Sequence, residues 1–455
     1  MELFGTAGIR GDAQSRVTPE LALAVGRAVG SLVRSEFDTS EQSVVIGRDG
    51  RVTGPSLAAA AESGVLSGGV SVTRVGVLPT PALAFASQGR TGIMLTASHN
   101  PPTDNGIKVL HDGVELDQSF ESTVEATVER EAPPTNWDEW GATTTESVLP
   151  AYRSVVTNYA SQFGADPTEL KVAVDCGNGM AALATPHVLR KQGAHVVTLN
   201  GNVDGHFPGR PSKPTPETLG DLRAFVQSSD ADFGIAHDGD ADRIVLIDGE
   251  GDVVHEDTVV ALLAEHYTTA SEADDPVVVT TPNASARIDE RVRSAGGRVE
   301  RVRLGALHEG IAAAENHGAT VVFAAEPWKH IHTSFGGWID GVTSAAVLTR
   351  LIAASGLDAL REPVNERPYR KVSIDCPDDR KTPAMSTLTE TLPEAFSDGT
   401  VETEHGVRIE LADGSWILVR PSGTEPYIRL YAESEAVDEL VATAHEVITS
   451  AINSR

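Results

Sequence analysis

Three aspartates alternate with small residues in His-Asp-Gly-Asp-Ala-Asp-Arg, residues 237–243. If the carboxylates of Asp238, Asp240 and Asp242 converge they repel one another unless a cation lies between them. An all-oxygen donor set suits Mg²⁺, which keeps room for water or a substrate phosphate. A calcium loop of the EF-hand type would place glycine at the sixth position and glutamate at the twelfth, where this chain has Arg243 and Gly249. A solvated acidic turn fits poorly, because strand-like runs, Phe233 to Ala236 and Ile244 to Ile247, bracket the motif. A second station lies in Thr96 to Lys108. Ser98 and His99 follow the apolar run Gly92 to Leu95, and Asn100-Pro101-Pro102 then forbids a helix and forces a tight, exposed loop. A hydroxyl held there is a nucleophile if its proton is taken and the developing charge neutralised; otherwise it only closes the loop. Lys108 offers a proton shuttle or a cation.

Two further stretches carry groups that handle polar ligands. Glu326, Lys329 and His330 are of mixed sign and follow the strand-like run Ala319 to Phe323, at the kind of strand end where open α/β sheets bind ligands. A surface loop accounts for Lys329 but not for Trp328 beside it. In Arg420 to Arg429, Ser422, Gly423 and Thr424 supply hydroxyls and successive N–H groups, and Arg420 and Arg429 supply guanidinium forks. Together these make a cradle for a phosphate dianion; an ordinary Pro-Ser-Gly turn is the competing reading of its core.

Elements that could position these groups are visible around them. Strand-like runs alternate with Ala-rich helical segments: Ser43 to Gly47 before a helix from Pro55, Lys171 to Asp175 before Ala181 to Gln192, and Pro276 to Thr281 before Ser285 to Gly296. This alternation predicts α/β layers with largely parallel pairing. The last part differs, with strands expected at Val401 to Leu411, Ser415 to Arg420 and Ile428 to Glu433 and a closing helix at Glu435 to Asn453. Composition breaks divide the chain into α/β units at residues 1–148, 149–250 and 251–362 and a smaller α+β unit at 363–455. The first three share a layout without visible sequence identity.

With 455 residues the chain is long for one core. Its 65 acidic against 36 basic residues give a formal charge of −29. Such a surface repels nucleic acid and anionic membranes and suits a salt-rich, halophilic cytosol, where self-repulsion is screened. Cys176 and Cys376 lie far apart, with no ligand at metal spacing, and read as buried apolar residues. No run approaches a membrane span and the N-terminus has no signal pattern, so a cytoplasmic protein is expected.

FGTAGIRG (residues 4–11), GRDGRVTG (47–54), TASHNP (96–101), VDCGNGM (174–180), DGDADR (238–243) and RPSGTEP (420–426) occur in one order over nearly the whole chain. With them the sequence resembles the α-D-phosphohexomutase superfamily, which includes phosphomannomutase, phosphoglucomutase and phosphoglucosamine mutase. The resemblance implies an isomerase of four domains around a central cleft, three with related α/β topology and mixed sheets and a smaller α+β phosphate-binding domain at the C-terminus. It implies that Ser98 is carried as a phosphoserine, and that Asp238, Asp240 and Asp242 hold one Mg²⁺ with an oxygen of that phosphate on Ser98. Arg10, His99, Lys108 and Arg243 match family positions near the reacting groups, with Lys108 the candidate general acid/base. Sugar phosphates are the implied small-molecule substrates, a sugar bisphosphate an activator, and a monomer or homodimer the implied state. Phosphate would pass through a bisphosphorylated sugar while Arg420, Ser422, Gly423, Thr424 and Arg429 hold the phosphate that is not reacting.

One loop departs from the family pattern. Many members carry Gly-Glu-x-Ser-Gly-His where this chain has Ala325-Glu326-Pro327-Trp328-Lys329-His330. Glu326 and His330 remain as sugar-binding residues, but Trp328 stands in place of a serine and Lys329 in place of a glycine. A hexose phosphate is the implied substrate. The departure makes ribose or deoxyribose phosphate an alternative, with a phosphatase or a non-catalytic sugar-phosphate-binding protein as readings from other classes. The segment Arg303 to His308 also differs from the family's usual loop, and Tyr427 stands where a basic residue is common.

Overall fold

A computed structural model describes residues 3–5, 8–36, 43–422 and 425–454; Gly423 and Thr424 of the expected cradle lie outside the described residues. The chain divides into two compact units, Met1–Val259 with Trp328–Leu360, and Val260–Pro327 with Arg361–Arg455.

In the first unit the β-branched runs form two mixed sheets. One orders its strands Ile9–Asp12, Asp104–His111, Thr91–Leu95, Ser43–Arg48, Ser71–Val77 and Thr143–Thr145, with Val114–Glu115 beside Asp104–His111. Ser43–Arg48 runs parallel to both neighbours, whereas Asp104–His111 is antiparallel to Thr91–Leu95 and Ile9–Asp12. Helices Pro19–Ser35 and Gly54–Ser67 start at a proline-bearing first turn, and Thr18 caps the former by accepting from the Leu21 N–H. Val25, Val29, Leu57, Val65, Ile93 and Ile107 fill the core beneath them. The second sheet orders Val245–Ile247, Phe233–Ala236, Lys171–Asp175 and His195–Leu199, parallel except for its first pair. The helix expected over Ala181 to Gln192 is interrupted: a 3₁₀ turn, Met180–Leu183, precedes Thr185–Gln192. Pro186 has no N–H to continue an α-helical ladder, so the helix starts afresh around it.

The second unit contains parallel strands in the order Arg298–Arg301, Pro276–Thr280, Thr320–Glu326 and an antiparallel sheet in the order Tyr369–Asp375, Tyr427–Glu433, Trp416–Pro421, Val407–Glu410, Thr400–Glu402. Helices Asp378–Ala395 and Val437–Asn453 cover one face of that sheet through Leu388, Leu392, Ala444 and Ile448. The other face buries Trp416, Leu418 and Tyr431 against Ala286. The single strand expected over Val401 to Leu411 is a hairpin instead, turning at Gly406, whose φ of +117° suits a residue without a Cβ. Cys176 and Cys376 are buried free thiols. Among the described residues no helix is long and apolar enough to cross a membrane.

Candidate active site

Two loops of the first unit carry most of the expected chemistry, and each joins a pair of antiparallel strands. Residues 96–103 link Thr91–Leu95 to Asp104–His111, and residues 237–244 link Phe233–Ala236 to Val245–Ile247. Ser98 is fully buried, with φ of +51°, a left-handed conformation that costs an L-residue about 1–2 kcal/mol and persists only where the surroundings enforce it. Arg51 does so. Its buried guanidinium donates from Nε to Asp49 Oδ2 (3.0 Å), from Nη1 to the carbonyls of Pro101 (2.6 Å) and Asp104 (2.9 Å), and from Nη2 to those of Ser98 (2.9 Å) and Asn100 (2.8 Å). Thr96 Oγ1 donates to Asp49 Oδ2 (2.7 Å) and accepts from the Ser98 N–H (2.9 Å). Gly239 lets the second loop come close, since a Cβ there would lie 2.5 Å from the Ser98 carbonyl oxygen.

The two loops meet in a buried acidic cluster. Ser98 Oγ donates to Asp238 Oδ2 at 2.7 Å, and Asp238 Oδ1 accepts from the Arg243 N–H at 3.2 Å. Thr80 Oγ1 donates to Asp240 Oδ2 at 2.6 Å. Lys108 Nζ lies 3.0 Å from Asp242 Oδ2, 3.3 Å from Glu115 Oε1 and 3.9 Å from Asp240 Oδ2. Arg243 Nε lies 3.7 Å from Asp238 and 3.8 Å from Asp242. Asp238, Asp240 and Asp242 can each present one oxygen so that all three lie within 4.8 Å of one another. The Oδ1 atoms of Asp240 and Asp242 are buried and make no hydrogen bond. Orphaned carboxylate oxygens cost free energy without a donor or cation, so the set fits Mg²⁺, a hard cation that takes oxygen ligands. At the loop ends, His237 Nδ1 meets the Arg243 carbonyl at 2.7 Å and Nε2 meets Thr185 Oγ1 at 3.0 Å.

Charge is unevenly distributed over the cluster. Burial, then the neighbouring Asp242 and Asp240, push Asp238 well above the usual carboxylate range. Burial also works against the charge of Asp242, but Lys108, Arg243 and Lys329 overcome it and hold that carboxyl low. For Lys108 burial opposes the ammonium, yet Asp242, Glu115 and Asp240 prevail and raise its pKa above the ordinary value. His99, whose Nδ1 lies 3.4 Å from Ser98 Oγ, is held down at about 2 by burial and by the cations of Arg243 and Arg10. It is therefore a neutral imidazole. Arg10 lies on Ile9–Asp12 opposite Gly106, and its Nε is buried without a hydrogen bond.

The expected sugar loop is divided between the units. In the first, Trp328 adopts φ of +71° and packs against the apolar cluster that contains Leu222 and Val226. Lys329 bridges Arg243 along the backbone. His330 is buried, meets Ser344 Oγ at 2.9 Å through Nδ1, and is pulled down to about 3 by burial. In the second unit, Glu326 Oε1 accepts from the Gly305 N–H at 2.6 Å.

The cradle residues lie in the second unit. Arg420 and Arg429 face each other across adjacent strands, and the Nε of each is buried without a partner. Arg420 Nη2 donates to Tyr431 Oη (2.8 Å) and Arg429 Nη2 to Glu425 Oε2 (2.7 Å). The Ser422 N–H donates to the Tyr427 carbonyl at 2.9 Å. Like guanidinium groups opposite one another repel, an arrangement that a dianion between them would favour.

Sequence reasoning missed five supporting residues, among them Glu115, the second carboxylate on Lys108. Arg51 and Asp49 stand in a quoted motif, but nothing local shows that the arginine reaches four carbonyls some fifty residues away. Thr80 carries a faint signal, a hydroxyl between two prolines at a strand-to-helix junction. Lys381, whose Nζ donates to the carbonyls of Ser422 (2.7 Å) and Glu425 (2.6 Å), ties down both sides of the cradle loop; on a helix in an acidic stretch it offered none.

Profiles of four phosphoglucomutase/phosphomannomutase domains match the chain in sequence order: α/β/α domain I at residues 1–134, domain II at 151–251, domain III at 255–369 and the C-terminal domain at 374–450. A phosphopentomutase of Thermococcus kodakarensis is 41% identical, over 99% of this chain and 98% of its own. A probable phosphoglucosamine mutase of Methanopyrus kandleri is 40% identical, over 95% and 94%. Among solved structures, a phosphoglucomutase/phosphomannomutase family protein from Burkholderia thailandensis superposes with a TM-score of 0.83 at 24% identity, covering 99% of this chain and 98% of its own; at that identity it supports the fold alone.

Proposed function

The chain belongs to the α-D-phosphohexomutase superfamily and is a phosphosugar mutase, an isomerase, and from that premise we propose that it carries the phosphate in transit on Ser98. The observation that bears most weight is the 2.7 Å contact of Ser98 Oγ with Asp238 inside a buried cluster that has two orphaned carboxylate oxygens. In the proposed cycle the phosphoryl group leaves Ser98 Oγ for the free hydroxyl of a sugar monophosphate, giving a bisphosphorylated sugar. The sugar turns round, its other phosphoryl group returns to Ser98, and the net change is transfer between the anomeric oxygen and the terminal hydroxyl.

Phosphoryl transfer is governed by positioning and by charge neutralisation. Arg51 and Asp49 fix the backbone that presents Ser98. Lys108, held as an ammonium, gives a proton to the Ser98 oxygen as it leaves phosphorus and takes the Ser98 hydroxyl proton back when the serine attacks on return, while the proton of the attacking sugar hydroxyl passes to solvent and the departing sugar oxygen takes one from it. Arg10 and Arg243 supply guanidinium groups to the equatorial oxygens, and His99 remains neutral. Mg²⁺ held by Asp238, Asp240, Asp242 and Ser98 would neutralise charge on the transferred group. Arg420, Arg429 and Ser422, with Gly423 and Thr424, hold the phosphate that is not reacting, and Glu326 and His330 contact sugar hydroxyls.

A hexose or amino-hexose phosphate is the first reading of the substrate. A pentose phosphate is the second, favoured by the loss of the family serine at Trp328, whose indole packs on an apolar cluster rather than supplying a hydroxyl. Phosphorus NMR with Mg²⁺, salt and a trace of sugar bisphosphate, over hexose, amino-hexose and pentose 1-phosphates, tests the proposal. Movement of the signal to the terminal position supports it, and the fastest sugar decides between the readings. Inorganic phosphate alone would indicate a phosphatase, and no change with any sugar a binding protein.

A further inference from the structure

The second unit contains a cavity of about 310 Å³ lined on one side by Pro282, Val299 and Arg301 and on the other by Glu402, Glu404 and Arg408. Arg408 is 3% exposed and lies in the antiparallel sheet with its guanidinium carbon 4.1 Å from the Trp416 ring centre. Nη1 donates to the Pro282 carbonyl at 2.7 Å, but Nη2 is buried with no hydrogen-bond partner. Among the described residues no carboxylate forms an ion pair with it, whereas Arg301 is engaged on both Nη atoms by Asp289 and leaves its own Nε without a partner. Burial, and after it the repulsion of Arg301, bring the Arg408 pKa down to about 10. Asp289, Glu410 and Glu402 offset part of its charge, but a buried guanidinium with an unpartnered donor beside a second guanidinium is a costly arrangement for a fold to retain.

We propose that this cavity binds a tetrahedral oxyanion of the phosphate class, with Arg408 Nη2 and Arg301 Nε as its donors. Guanidinium forks suit such anions because their N–H groups match the spacing of the oxygens. The two walls come from different layers of the unit, the parallel strands and the antiparallel sheet, so a bound anion ties those layers together and stabilises the folded unit by mass action. The carboxylates of Glu402 and Glu404 at the rim oppose anion entry and set a modest affinity.

The site is tested with inorganic phosphate as the probe, by calorimetric titration of the full chain at constant ionic strength. An Arg420→Met, Arg429→Met background removes the cradle that would otherwise bind the same anion. Phosphate should still bind there, about tenfold or more weaker once Arg408→Met is added. Glu402 and Glu404 are exposed, so Glu402→Gln with Glu404→Gln leaves the buried packing intact and should tighten binding by about threefold or more through lost repulsion. Absence of phosphate binding in the cradle-deficient background, or affinity indifferent to both the Arg408 and the rim substitutions, overturns the proposal.

Discussion

Arg51→Lys isolates the contribution of the guanidinium fork from that of its charge. All five N–H groups of Arg51 are used, one on Asp49 and four on carbonyls of residues 98–104. Lysine offers three donors from a single point, so at least two of these five hydrogen bonds are lost. At ~1 kcal/mol for each hydrogen bond lost, the substitution should cost about 2–3 kcal/mol, a large part of a typical stability of about 5–15 kcal/mol. Arg51→Met should cost more, about 3–5 kcal/mol, because it also leaves Asp49 buried without its counter-charge. Adding Asp49→Asn should then recover part of that loss, a coupling that a double-mutant cycle reads directly. The assay is amide exchange over residues 96–104, which reports local opening in a multidomain chain where one unfolding midpoint would not. In Arg51→Lys, exchange there should accelerate by about thirtyfold or more while the second sheet keeps its protection, and turnover should fall with KM little changed. Exchange within about threefold of the parent would refute the reasoning that Arg51 enforces the Ser98 conformation.

Ser98→Ala and Ser98→Gly should both abolish phosphotransfer. The glycine variant should be the more stable by about 1 kcal/mol in thermal melts, because position 98 is left-handed. Mg²⁺ should raise the melting temperature of the parent protein, and Asp240→Asn should remove most of that rise, a binding effect measured without turnover. His330, pulled down to about 3 when folded from an ordinary value of 6.5, is neutral in the fold but takes a proton when unfolded. Stability should therefore fall as pH drops below about 6.5, by up to ~1.4 kcal/mol per pH unit from this residue, and His330→Gln should flatten urea-midpoint profiles in that range.

What the sequence made legible follows the range of the interactions involved. The β-branched runs at 43–48, 171–175 and 233–236 form strands because their side chains suit a buried pleated surface, and local composition records that. The aspartate loop was readable because its three carboxylates lie within five residues of one another, and the structure brings an oxygen of each within 4.8 Å of the others. Local pattern failed where the turn was carried by one residue, as at Gly406 and Pro186. It failed again where long-range partners decide the outcome, as with Arg51, Glu115 and Thr80, which reach Ser98, Lys108 and Asp240 through the fold rather than along the chain. For Trp328 the sequence showed a departure but not its geometry, a left-handed residue with its indole on the core of the neighbouring sheet.

The most direct test of the central proposal is the mass of the Ser98 peptide before and after exposure to a sugar bisphosphate with Mg²⁺. The account predicts that this peptide gains one phosphoryl group, and that adding a sugar monophosphate discharges it as bisphosphate appears in solution. Turnover with Ser98 unmodified throughout, or the phosphoryl group found on another residue, would contradict it.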